Sequence, residues 1–284
     1  MKTDMQTKLN ALDSKRLPVL PPGTPYLLKS LTDESMDFHR LSLTIERFPT
    51  IAARLIALAN SAWSSPVSPV TSLEAACARL GFSVVRSTSI ALAVSSPFNP
   101  SRCPAFDAPR FWCRALLVAD VSSWLAQATE AGPSPETARA SGLLHNLGLL
   151  WMADQLPQDT HQVLQQHNAA PAGQLGQLLI DRLGFDYADA GGLLGETWGL
   201  PGPLVTAMAH HREPPASFSQ EDSVFFVSHA VSMAQAAEQQ TPWALPDSAQ
   251  PTLDISPADA SRLFAQVATQ LTITRELAQT LFGA

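Results

Sequence analysis

The chain has 284 residues, 45% of them apolar and 15% charged, with 18 basic against 25 acidic side chains and a net charge of −7. That is a globular composition with enough chain for one large or two small domains, and it excludes a disordered polymer. With no Lys/Arg block and an acid excess, nucleic acid and anionic membrane surfaces are excluded as partners.

Residues 1–16 are polar and read as a flexible extension. They hold no apolar h-region, so a signal peptide is not expected, and no apolar run reaches the length that crosses a bilayer. Cys77, Cys103 and Cys113 are widely spaced and form no CxxC pair. They read as packed thiols in a reducing cytoplasm.

From residue 17 the pattern is helical. LPVLPPGTP leads in, with Thr24 and Pro25 as cap and first helical position. Helices are expected from Ser35 to Arg47 and from Pro49 through PTIAARLIALANSA, whose stripe is Ile51, Leu55, Leu58 and Ala59. Asn60 would cap that helix, using the left-handed geometry Asn tolerates. Ser72 caps LEAACARLG, Gly81 ends it, and Val84 to Val94 forms another apolar helix. Pro97 to Pro109 is proline-rich and aperiodic, a linker between two helical lobes.

A long helix is expected from Arg110 to Thr129, with Phe111, Leu116, Leu117, Val121, Trp124 and Leu125 as core. Ser134 and Pro135 open the next, which runs through ASGLLHNLGLLWM, Ala140 to Met152. This is the most apolar stretch of the chain, hydrophobic on every side, as in a helix buried within a core. His145 and Asn146 interrupt it and need internal partners, because buried polar groups are costly unpaired. Gly142 and Gly148 allow close backbone approach. Further helices are expected at 158–167, 172–183, 187–198, 201–210 and 222–238, then a proline-rich loop at 241–251 and two closing helices at 257–270 and 274–282 that pack on the body. No period-two strand pattern is present, so the fold class is all-α, in two lobes.

Taken in order, LPVLP (17–21), ARLIALANSA (53–62), ARLG (78–81), FWCRALLVA (111–119), GLLHNLG (142–148), LGFDYADAGGLLGETWGLP (183–201) and AMAHHREP (207–214) resemble the HDOD family. That family is a bacterial signalling relative of the HD-type metal phosphohydrolases. The resemblance covers residues 17–240. It implies an N-terminal helical lobe at 17–96, the linker at 97–109, an HD-like lobe at 110–240, and signal transduction through contacts with other signalling proteins.

The resemblance also implies a degenerate metal site. GLLHNLG carries Asn146 where the HD enzymes have Asp. Cys113 and Arg114 stand where the first His is expected, Tyr187 where a later His is, and Val231 at the final Asp, with His229 two residues before it. His145, His210 and His211 remain. Without a carboxylate to bridge two divalent ions or offset their charge, a two-metal centre is not expected. A single zinc on the three histidines is opposed by geometry, since adjacent residues of a helix project about 100° apart. Arg114 would repel a metal further. Arg114, His145, Asn146, Tyr187, His210 and His211 are therefore expected to converge in a vestigial pocket without metal or cofactor, closed by mutual hydrogen bonds or holding a small anion on Arg114.

Three readings remain open: a non-catalytic signalling domain, a metal-dependent phosphohydrolase with an unusual ligand set, and a sensor of a small anion or nucleotide. Other residues offer less. His39, His161 and His167 read as surface groups, and Asp181 and Asp189 as solvated charges, with Asp186 as an N-cap. Ser61 and Ser141 lack a nucleophile's setting.

Overall fold

The computed structural model describes residues 18–243, 253 and 255–283, apart from 32, 34, 67, 130–131 and 170–173. The extension at 1–16 and most of the loop at 241–251 lie outside the described residues. Every regular element among the described residues is helical, and none is a strand. None of these helices is by itself long and apolar enough to cross a membrane.

Five helices form the N-terminal part: α1 (Thr24–Leu31), α2 (Phe38–Glu46), α3 (Pro49–Ala59), α4 (Leu73–Leu80) and α5 (Phe82–Ser95). The Ser72 side chain caps α4 by accepting from the Ala75 amide, and Gly81, at φ 83°, turns the chain directly into α5. That φ lies in the region glycine occupies at no steric cost. Asn60 departs from expectation. Its backbone is right-handed, and it is Ser65 beyond it that turns left-handed. The Asn60 amide instead clasps the following loop, donating to Val70 O at 2.7 Å and accepting from Val70 N at 2.8 Å.

Residues 97–107 hold a single 3-10 turn, Pro100–Arg102. This segment is pinned to the helices that follow it. Phe98 and Cys103 are buried, and Asn99 N donates to Asp154. Ala105 N donates to Nδ1 of His161 at 3.0 Å. His161 is thus half-buried and structural, where a surface position was expected.

Nine helices follow: α6 (Ala108–Gln127), α7 (Pro135–Leu144), α8 (Leu147–Gln155), α9 (Pro157–Ala169), α10 (Leu175–Leu183), α11 (Tyr187–Thr197), α12 (Gly202–His210), α13 (Ser223–Gln239) and α14 (Pro257–Phe282). α6 is their axis. It is buried nearly all round and packs on α7, α13 and α14. Most buried apolar residues of both halves and of α14 join in one contiguous core, with a small separate cluster of Cys103, Ala153 and Leu164.

Two boundaries differ from the pattern. The helix expected through His145 breaks there, with α7 ending at Leu144 and α8 starting at Leu147. His145 Nδ1 lies 2.6 Å from Gly142 O, the carbonyl that a continuing helix would bond to the Asn146 amide. At the other end the expected pair 257–270 and 274–282 is one helix. The β-branched run Thr272–Thr274 weakens helix propensity, but packing of Val267, Leu271, Leu277 and Leu281 into the core overrides it.

Candidate functional site

The α7–α8 break puts the His145 ring inside the protein, 2% exposed. Its Nδ1–H donates to Gly142 O, which fixes the tautomer and leaves Nε2 as the lone-pair nitrogen. His210 ends α12 and His211 caps it, so the two point in different directions. His211 turns inward, 4% exposed, with Nδ1 at 3.1 and 3.2 Å from Ala207 O and Met208 O. The His210 side chain is 49% exposed and meets Glu213 Oε1 at 2.7 Å. His210 therefore does not join the expected pocket, for the reason that neighbouring helical residues diverge.

What converges is a file of rings. His145 meets His211 edge to face at 4.9 Å between centroids. Tyr187, the first residue of α11, stacks on His211 at 5.7 Å. The Arg212 guanidinium lies over Tyr187 at 5.4 Å and pairs with Asp186. Asp186 also caps α11, accepting from the Ala188 and Asp189 amides, while Asp189 returns a bond to the Asp186 amide. Arg212 and the second role of Asp186 had no signature in the sequence beyond the adjacency of Arg212 to His211.

Arg114 sits on α6 beside this file and is already engaged. Its Nε is 3.0 Å from Glu238 Oε1, and Nη2 pairs with Oε2. This two-pronged pair uses the planar fork that an anion would need. Glu238, on α13, was not foreseen. Asn146 is 9% exposed, and its Oδ1 is buried without a partner.

Burial, and then the neighbouring His211, hold the His145 pKa well below the usual histidine value. Burial holds His211 down to about 4 and pushes the Tyr187 phenol up to about 12. Near pH 7 the file is thus uncharged up to Arg212. His229 on α13 is separate: its ring packs on Phe225 at 4.8 Å, its Nε2 has no partner, and burial lowers its pKa to about 4. Val231 is half-buried against the core.

The donor set does not fit the two-metal centre that the HD resemblance implies. It offers two neutral imidazoles and an amide, with the nearby Glu238 bound to Arg114. Among the described residues no group of three or more His, Cys, Asp or Glu is placed to hold a metal ion.

The HDOD domain model matches residues 17–214. Among solved structures, a candidate signal transduction protein from Marinobacter aquaeolei VT8 is similar over 98% of this chain and 66% of its own, at 19% identity and TM-score 0.82. This chain thus spans just under two thirds of that protein. An HDOD domain protein of unknown function from Geobacter sulfurreducens is similar over 98% and 99% of the two chains, at 19% identity and TM-score 0.70. A candidate phosphohydrolase from Shewanella amazonensis SB2B is similar over 98% and 97%, at 23% identity and TM-score 0.69. At these identities the likeness is one of fold. No curated protein matches the chain.

Proposed function

Since the chain belongs to the HDOD family, we propose that it is a non-catalytic signal-transduction domain that acts by contact with other signalling proteins. One observation carries this reading. Where HD-type enzymes gather metal ligands, this chain packs His145, His211 and Tyr187 ring against ring, with Glu238 locked on Arg114. Hydrolysis of a phosphate ester on this scaffold needs a metal to make hydroxide and to neutralise the phosphate. The nearby carboxylates are already engaged, Glu238 by Arg114 and Asp186 by Arg212. A cytoplasmic setting fits the three buried free thiols, Cys77, Cys103 and Cys113. A sensor of small anions at this pocket would first have to part Arg114 from Glu238.

The alternative is a metal-dependent phosphohydrolase with an unusual ligand set. It is favoured by the tautomers of His145 and His211, whose Nδ1–H groups bond backbone carbonyls as in metal-bound imidazoles. One assay separates the two. The full chain, supplied with manganese or iron, is expected to show no phosphodiesterase or nucleotidase turnover above buffer. Turnover that disappears in both His145→Ala and His211→Ala, with each variant still folded by circular dichroism, would establish the enzyme reading instead.

A further inference from the structure

The outward side of α2 carries a pattern that its own fold does not use. Leu41, Ser42, Thr44 and Ile45 are buried, while His39, Arg40, Leu43, Glu46 and Arg47 are exposed. The exposed residues stand three and four places either side of Leu43, the spacing that aligns side chains along one face of a helix. Leu43, at the centre of that face, is 48% exposed. The two charges nearest it sit at the wrong ends of the helix. Arg40 is in the first turn, where the helix dipole favours an acid, and Glu46 is the last residue, where it favours a base. Among the described residues Glu46 forms no ion pair. Arg40 Nη1 bonds Ser35 O and Oγ at 3.2 and 3.0 Å, and its Nη2 lies 3.6 Å from Asp33 in a pair exposed at both ends. Such a pair holds a side chain weakly, and the guanidinium keeps further donors. Arg47, at the C-cap, rests over the Tyr26 ring at 5.5 Å.

A second α2 laid antiparallel on the first removes the conflict. With a two-fold axis at Leu43, each residue before Leu43 meets the residue equally far after it in the other copy. Leu43 then packs on Leu43. Arg40 of each copy faces Glu46 of the other, so one ion pair forms twice. Each Arg40 also comes to the C-terminal end of the opposite helix, and each Glu46 to its N-terminal end, the ends that suit their charges. Arg47 faces the His39 ring, with Tyr26 alongside. The acid excess of the chain does not oppose this approach. Residues 17–59 hold four basic and four acidic side chains, while residues 60–284 hold ten basic and nineteen acidic. Two such molecules repel least through the part of the surface that lacks the excess.

We propose that the outward face of α2 is a self-association surface, through which two copies of the chain pair antiparallel about Leu43. The face of one nine-residue helix falls short of the roughly 800 Å² per partner of a standard interface. The pairing is therefore weak and reversible, with a dissociation constant on the order of 10–100 µM. It does not depend on whether the histidine file is catalytic.

The test is sedimentation equilibrium of the full chain from about 5 to 500 µM, a range that brackets such a constant. A monomer–dimer equilibrium is expected. Leu43→Glu, Arg40→Glu and Glu46→Arg should each weaken it by about tenfold or more, because each sets like charges together or a charge against Leu43. All three positions are exposed, so the melting temperature of dilute protein should not change. The double variant Arg40→Glu/Glu46→Arg should regain the dimer, since the exchanged charges again face opposites. A monomer at every concentration, an assembly larger than a dimer, a Leu43→Glu chain that pairs like the wild type, or a double variant no stronger than the single reversals would each overturn the proposal.

Discussion

His145, His211 and His229 are each buried and each held neutral by that burial. Their folded pKa values lie below the unfolded histidine value of about 6.5. Below that pH the unfolded chain binds more protons than the folded one, so stability falls as acid is added. The contribution is complete above about pH 6.5 and is lost progressively as pH falls toward about 4. The melting temperature should therefore drop clearly between pH 7.5 and 5, and a flat profile over that range would contradict it. His229→Leu removes an orphaned Nε2 as well as one titrating group. It should raise the melting temperature at pH 5 and make the pH dependence shallower. These histidines were unequally legible. His145 stood out because polar groups rarely interrupt so apolar a run. Which of His210 and His211 faces inward depends on where α12 ends, and hydrophobic periodicity does not fix that. Glu238 was invisible as the partner of Arg114, because nothing in a sequence aligns two charges on helices as far apart in the chain as α6 and α13.

The segment GLLHNLG joins α7 to α8 through two glycines with different neighbours. A Cβ on Gly142 would lie 2.8 Å from Val118 O and 2.9 Å from the Ala119 Cα of α6. One on Gly148 would lie 2.0 Å from Tyr187 O and 2.5 Å from Gly191 N of α11. These neighbours are backbone atoms, which cannot swing aside as the end of a side chain can. Gly148→Ala must therefore push α8 from α11 and disturb the His211–Tyr187 stack that α11 carries. A loss of about 3 kcal/mol or more is expected in denaturant unfolding, against the small gain in helix propensity that Ala brings at an open site. Equal or greater stability of Gly148→Ala would refute the close crossing. That Gly142 and Gly148 allow close backbone approach was readable from their places in the run. The break between α7 and α8 was not. It arises because the His145 side chain takes a backbone carbonyl from the helix, while the apolar pattern runs on through both segments.

Buried residues on either side of the 97–109 segment belong to one contiguous cluster, and α14 helps to join them. Along its length α14 packs on α6, and Trp112 stacks on Phe282 at 4.9 Å. From the N-terminal half, Arg54 donates to Leu281 O at 2.6 Å, and Trp63 donates to Ile273 O. Periodicity predicted that this region would be buried, since it carries too many leucines to face water. It could not show that the region reaches both halves, because hydrogen bonds from Arg54 and Trp63 to its carbonyls leave no mark in the residues of α14. Truncation at Pro251 would uncover Trp112 and Leu116 and discard buried Val267, Leu271, Leu277 and Leu281. Each such side chain contributes about 1.5–3 kcal/mol when fully buried. Their combined loss rivals the whole stability of a typical domain, about 5–15 kcal/mol. The shortened chain should melt at a markedly lower temperature or precipitate on expression. Leu271→Asp in the full-length chain should move in the same direction, by placing a charge against α6 with the backbone intact. If both proteins remain soluble and melt with the wild type, α14 rests on the body without supporting it.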